Sequence, residues 1–129
     1  MGEPIEGELV RMEVMLGKMP EQARVDLERL DLRAASLDEC LRAAEIAEAG
    51  GWTAQAVRAC NRALEHDPAC VPALERLVEL RRDQGDLTRA VELLGRLAAA
   101  GRPEVAGERI GLLIALDKRE QAERELDSA

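Results

Sequence analysis

The amino-acid sequence predicts an all-α protein, a stack of about four antiparallel helix hairpins that forms a single domain over residues 1–129. Apolar residues recur at a spacing near 3.6 in about eight successive segments, as they do along the buried face of a helix. Glycines follow these segments at intervals, where a helix is expected to end. The chain has no Phe or Tyr and a single Trp among 47 % apolar residues, so the strong helix formers Ala and Leu supply most of the core.

Start and stop signals divide the chain into elements. Ser36 and Asp117 each precede a Glu by three residues, and this spacing predicts a capping box at the start of a helix. The expected stops are Gly17, Gly50-Gly51, Gly85 and Gly101, and the prolines suited to a first helical turn are Pro20, Pro72 and Pro103. We therefore expect helices at residues 5–17, 20–34, 37–49, 53–66, 72–84, 87–100, 103–116 and 118–127. Because the connections between them are short, consecutive helices should run antiparallel.

A repeat of about 34 residues underlies this order. Gly51 and Ala56 recur 34 residues later as Gly85 and Ala90. Alanines at 23, 56, 90 and 122 are separated by 33, 34 and 32 residues. A small residue at this point allows the two helices of a hairpin to approach closely.

These positions resemble the tetratricopeptide repeat (TPR) family over nearly the whole chain, most clearly over residues 37–100. The second hairpin carries the pattern of the family's second helix as Gly51, Ala56, Cys60, Ala63 and Pro68, and the third as Gly85, Ala90, Leu94 and Leu97. Smaller residues occupy all of the positions that are aromatic in the family. The resemblance implies a right-handed superhelix whose concave face is lined by the first helix of each hairpin and binds partner proteins.

Charge and composition exclude several classes of function. The net charge is −8, and an acidic surface without an aromatic platform does not suit nucleic acid or an anionic membrane. No apolar run is long enough to span a bilayer, and from the acidic N-terminus we expect no secretory signal. Three cysteines, an odd number, do not form a disulfide framework, so we expect a reduced, cytoplasmic protein.

The TPR resemblance places the candidate partner-binding residues on the first helices. They are Glu8, Met12 and Met15 in the first hairpin, Asp38, Leu41, Glu45 and Glu48 in the second, and Glu75, Glu79 and Arg82 in the third. Methionine suits adaptable contacts and carboxylates favour cations, so we expect a basic, amphipathic helix or extended segment to bind here. The alternative for any single Glu is a solvated helix face. Some TPR proteins clamp an anionic tail with Lys and Asn, whereas the matching positions here, Leu41, Glu45, Glu75 and Glu79, would repel one.

The last predicted hairpin carries a second candidate surface. Gly107 and Gly111 lie within a predicted helix, where each costs about 1 kcal/mol relative to Ala. The favoured explanation is close packing against a neighbouring helix. The competing one is an interface with another chain, because Ile110 and Ile114, with Leu112 and Leu113, nearly encircle the helix with apolar surface.

Catalytic and metal-binding residues are scarce. His66, Asp67 and Cys70 adjoin one turn, but no second ligand pair has the spacing of a metal site, so we expect no enzyme activity, metal or cofactor. Cys40 and Cys60 occupy core positions and should be buried, whereas Cys70 should be the exposed thiol. Trp52 is expected to pack across its hairpin turn.

These observations predict an adaptor or chaperone that binds a segment of a partner protein in an acidic and apolar concave groove. The alternative is a self-associating scaffold that forms homo-oligomers through the C-terminal hairpin.

Overall fold

The computed structural model describes residues 5–128, except for the side chains of residues 6, 121, 122 and 125–128. Across residues 5–128 the secondary structure is helical and contains no strand, which confirms the all-α prediction. The α-helices are α1 (Glu6–Lys18), α2 (Pro20–Arg29), α3 (Leu37–Gly50), α4 (Thr53–His66), α5 (Val71–Asp83), α6 (Leu87–Ala99) and α7 (Ala106–Ser128). Short 3₁₀ turns, η1 (Leu32–Ala34) and η2 (Pro103–Val105), precede α3 and α7.

The chain divides into two compact units, Met1–Ala73 and Leu74–Ala129. In the first unit, α1 packs on α2 and α3, and α3 packs on α4. In the second unit, α6 packs on η2 and α7. A single repeat domain over residues 1–129 stays a prediction.

The capping box predicted at Ser36 is confirmed. Ser36 Oγ accepts a hydrogen bond from the backbone N–H of Glu39 at 3.2 Å, and Glu39 Oε1 accepts from the N–H of Ser36 at 2.9 Å. Glu39 Oε2 also accepts from the N–H of Ile5 at 2.9 Å, which joins the starts of α1 and α3. The hydrogen bond from the Ser36 backbone, followed in size by the opposing effect of burial, leaves the pKa of Glu39 below its ordinary value.

Three of the predicted glycine stops form the same C-terminal turn. Gly51, Gly85 and Gly101 have positive φ values of 77°, 75° and 111°. In each case the N–H of the next residue donates to the carbonyl five residues earlier, as from Trp52 to Ala47 at 2.8 Å. Gly17 does not act in this way, because α1 continues to Lys18 and only Met19 separates it from α2.

Small residues fill the space between α3 and α4. Cys40, Ala44, Ala56, Cys60 and Ala63 are fully buried, and Ala23 and Ala90 are equally buried at their own repeat positions. The side chain of Ala122 lies outside the described residues. Burial raises the pKa of the Cys40 thiol above its ordinary value. The expectation for Cys40 and Cys60 is confirmed, whereas that for Cys70 is wrong, since this thiol is only 4 % exposed.

Two element boundaries differ from the prediction. The helix expected over residues 20–34 ends at Arg29, because Leu30 is extended (φ −67°, ψ 129°) and Asp31 then caps η1 by accepting from the N–H of Arg33 at 3.0 Å. The break expected at Asp117 is absent, so the two last predicted helices are one helix of 23 residues. No glycine or proline follows Gly111 to stop this helix, and an Arg119–Glu123 pair at 3.5 Å supports its continuation. Pro103 begins η2 rather than an α-helix.

Candidate partner-binding surfaces

A bidentate ion pair joins α1 to α3. Arg42 donates from Nε to Glu13 Oε1 at 2.7 Å and from a terminal nitrogen to Glu13 Oε2 at 3.0 Å. The hydrogen bond from Arg42 lowers the pKa of Glu13 below its ordinary value. With the bond from Ile5 to Glu39, this pair holds α1 against α3. The sequence had not singled out Glu13 or Arg42; their opposite charges, 29 residues apart, were the available signal.

The predicted residues on α3 share one side of that helix. Asp38, Leu41, Glu45 and Glu48 follow each other at helical spacing, on the side of α3 away from the buried Ala43 and Ala47. Asp38 and Glu45 are exposed, and Leu41 and Glu48 are half-buried. The α3 stripe therefore combines accessible carboxylates with a partly accessible leucine.

The predicted residues on α1 do not extend this stripe. Met12 is only 3 % exposed and belongs to the core with Leu9, so it is not available to a partner. Glu8 is exposed and Met15 is half-buried. Glu8 and Met12 line a cleft of about 250 Å³ with Asp26 and Arg29, on the α2 side of α1.

Two valines take the place of the predicted α1 residues. Val10 is 44 % exposed and Val14 is 58 % exposed; they share one face of α1 at i,i+4 spacing, and Val10 lies three residues before Glu13. We use the term α1–α3 face for Val10, Glu13 and Val14 together with Asp38, Leu41, Glu45 and Glu48. This face combines carboxylates with apolar side chains, and its α1 members differ from the predicted ones because α1 buries Leu9 and Met12.

In the second unit, arginines pair with the predicted carboxylates. Glu75 lies 3.3 Å from Arg102, and Glu79 lies 3.7 Å from Arg82. Arg82 also pairs with Glu108 of α7. All of these side chains are at least 38 % exposed, so each pair contributes at most about 1 kcal/mol to stability. Two arginines therefore offset part of the negative charge of this predicted acidic surface.

The apolar residues of α7 form an uncovered stripe. Ile110, Leu113 and Ile114 are 56 %, 42 % and 52 % exposed, while Leu112 and Leu116 are half-buried on the other side of the helix. A Cβ atom added at Gly107 or Gly111 would meet no atom within 4 Å. Close packing, the favoured explanation for these glycines, is therefore wrong for the described residues. The α7 stripe is defined as these two glycines with Ile110, Leu113 and Ile114.

The residues near His66 do not assemble a reactive site. His66 Nε2 lies 2.7 Å from the carbonyl oxygen of Ala35, which requires the ring nitrogen to donate, so the imidazole links α4 to the end of η1. Cys70, which follows His66 by four residues in the sequence, is buried. Among the side chains that the structure describes, no three of His, Cys, Asp and Glu converge in a way that could hold a metal ion.

Comparison of the chain with protein-family models, with curated proteins and with solved structures finds no match. Within residues 5–128, no helix has both the length and the apolar content needed to cross a membrane. The α1–α3 face and the α7 stripe are the two candidate interaction surfaces of the described residues.

Proposed function

We propose that the protein is a TPR-like interaction module, an adaptor or chaperone, that binds a basic, amphipathic segment of a partner protein across the α1–α3 face. The observation that carries this proposal is the side-by-side placement of α1 and α3 through Glu13 and Arg42. Two first helices held in this way offer one continuous surface, which a single helix would not.

The composition of the face supports the choice of partner. Val10 and Val14 supply exposed apolar surface, and Asp38 and Glu45 supply exposed carboxylates. Burial of the valines would stabilise a complex through the hydrophobic effect, while the carboxylates would select cationic partners and speed their association. The net charge of −8 acts in the same direction at longer range.

Charge reversal on α3 is expected to weaken binding of a basic helix. The probe is an 18-residue peptide with leucine and lysine at helical spacing, and calorimetry gives its dissociation constant. The double variant Asp38→Lys, Glu45→Lys should bind this peptide about tenfold or more weakly at low salt, and the difference should shrink as salt screens the charges.

The matched control reverses two exposed carboxylates elsewhere, Glu92→Lys and Glu120→Lys, with the same change in net charge. It should stay within about twofold of the wild type, since only the long-range field changes. Equal weakening by both double variants would mean that the peptide responds to net charge alone and that the α1–α3 face is not its site.

The α7 stripe supports a second candidate function, self-association of a scaffold. Its protruding isoleucines and its two open glycines lie on the same face, so the surface can fit a second copy of itself. A two-fold contact of this kind would also remove exposed Ile110, Leu113 and Ile114 from water.

Self-association through α7 is expected to disappear when charge is placed on the stripe. Light scattering over a dilution series should show a concentration-dependent increase in mass for the wild type and a monomer for Ile110→Asp, Ile114→Asp. The control Val10→Asp, Val14→Asp adds the same charge to exposed positions on α1 and should associate like the wild type. A wild type that is monomeric at every concentration would exclude this candidate.

A further inference from the structure

A cleft of about 420 Å³ lies where α2 ends, on the surface of the first unit. It is lined by the end of α2, the turn into η1 and one side of α4. The lining residues are Glu28, Arg29, Leu30, Asp31, Leu32, Arg33, Arg58 and Arg62. The α1–α3 face shares none of these residues.

The cleft concentrates positive charge in an acidic unit. Residues 1–73 contain eight Lys or Arg and 14 Asp or Glu, of which the cleft holds four arginines and two carboxylates. Its charge is therefore opposite in sign to that of the surrounding chain, which a solvated surface of average composition would not show.

The two carboxylates already have partners. Glu28 Oε1 accepts hydrogen bonds from Arg24 at 2.9 Å and from Gln55 at 2.8 Å. Asp31 Oδ1 accepts from the backbone N–H of Arg33 and lies 3.6 Å from the Arg33 side chain. Within the described residues, neither carboxylate forms an ion pair with Arg29 or Arg58.

The arginines retain most of their donors. A guanidinium carries five N–H groups. Arg58 uses one of them on the carbonyl oxygen of Leu27 at 3.1 Å, and Arg62 pairs with Glu65 at 2.8 Å. Among the described residues, Arg29 makes no hydrogen bond or ion pair. Several N–H groups of this cleft are thus available to an anionic ligand.

The backbone around the cleft is held in place. Three residues of α4 form hydrogen bonds to the end of α2 and to the end of η1. Gln55 bonds to Glu28, Arg58 to the Leu27 carbonyl and His66 to the Ala35 carbonyl. These contacts fix the segment that carries Arg29 and Arg33 against the helix that carries Arg58 and Arg62. The backbone that carries these arginines is therefore already fixed, so less conformational entropy would be lost when a ligand binds.

We propose that this arginine cleft binds a phosphate monoester. Guanidinium groups match phosphate oxygens in bidentate geometry, and a dianion with three terminal oxygens can engage several arginines at once, whereas a single carboxylate engages one or two. The same chemistry is offered by a small phosphorylated molecule and by a phosphoserine in a partner protein, and the test separates these sources.

The test follows the arginine side-chain N–H signals by NMR during titration with inorganic phosphate at constant ionic strength, with chloride as the reference anion. Saturable shifts confined to Arg29, Arg33, Arg58 and Arg62 are expected. The double variant Arg29→Gln, Arg33→Gln should weaken binding at least about tenfold, because each lost charge-assisted pair corresponds to roughly that factor. The Arg29→Lys variant keeps the charge but loses the bidentate geometry of the guanidinium, so its affinity for phosphate should lie between those of the double variant and the wild type.

The matched control is Arg89→Gln, Arg119→Gln, which removes two exposed arginines from the second unit and should leave the affinity unchanged within about twofold. Circular dichroism establishes that each variant is folded. Tighter binding of a phosphoserine peptide than of inorganic phosphate would identify a partner protein as the source, and equal or weaker binding of the phosphopeptide would identify a small phosphorylated ligand. Non-saturating shifts, or equal shifts with chloride, would overturn the proposal.

Discussion

Gly50→Ala is expected to destabilise the protein by about 1–3 kcal/mol, although alanine is ordinarily the better helix former. The indole of Trp52 lies directly on the backbone of Gly50, and an added Cβ atom would stand 2.6–2.7 Å from three of its ring carbons. The Trp52 backbone is tied to the Ala47 carbonyl at 2.8 Å, so the ring can withdraw only by rotation about its side-chain dihedrals. Urea unfolding followed by Trp52 fluorescence measures the loss in the first unit.

Removal of the indole should reverse the sign of this effect. In a Trp52→Ala background, followed by circular dichroism, Gly50→Ala should stabilise by about 0.5–1 kcal/mol, because only the helix propensity remains. Gly17→Ala in α1 is the matched control, since a Cβ atom there meets nothing within 4 Å, and it should stabilise by a similar amount. The same cost for Gly50→Ala in both backgrounds would show that contact with Trp52 is not the cause.

Leu94→Ala is expected to cost about 2–5 kcal/mol, the largest loss of any substitution considered. Leu94 is 1 % exposed on α6, in the core of the second unit. This core has leucines at positions where the first unit has alanine or cysteine. Deletion of its side chain would leave a cavity as well as lose buried apolar surface. Chemical denaturation followed by circular dichroism reports the change.

Leu113→Ala provides the comparison for Leu94→Ala. The chemical change is the same, but Leu113 is 42 % exposed on α7, so its loss should alter the free energy of unfolding by no more than about 0.5 kcal/mol in dilute solution. If both variants lost the same stability, Leu94 would not occupy a closely packed core site.

Local signals predicted much of the fold because each has a short-range physical cause. The capping box at Ser36 and the positive φ values at Gly51 and Gly85 depend on neighbouring residues only. The same kind of signal misled at Asp117, because Asp-x-x-Glu also fits inside a long helix when no glycine or proline follows. A sequence pattern of this length cannot distinguish the two cases.

Within the α1–α3 face, the exposed residues of α1 were less predictable from the sequence than those of α3. Apolar residues surround much of α1, so periodicity does not decide whether Met12 or Val10 faces the core. On α3, the buried small residues leave only one side for Asp38 and Glu45. The arginine cleft was missed because it forms only when the chain turns at Leu30 and brings Arg29 and Arg33 towards α4.

Mapping of the peptide-binding site tests the central proposal most directly. Backbone amide chemical shifts are recorded for the labelled protein as the leucine–lysine peptide is added. Binding across the α1–α3 face predicts the largest changes at residues 10–14 and 38–48, and their loss in the Asp38→Lys, Glu45→Lys variant. Changes confined to the α7 stripe, or spread evenly over the exposed carboxylates of both units, would contradict it.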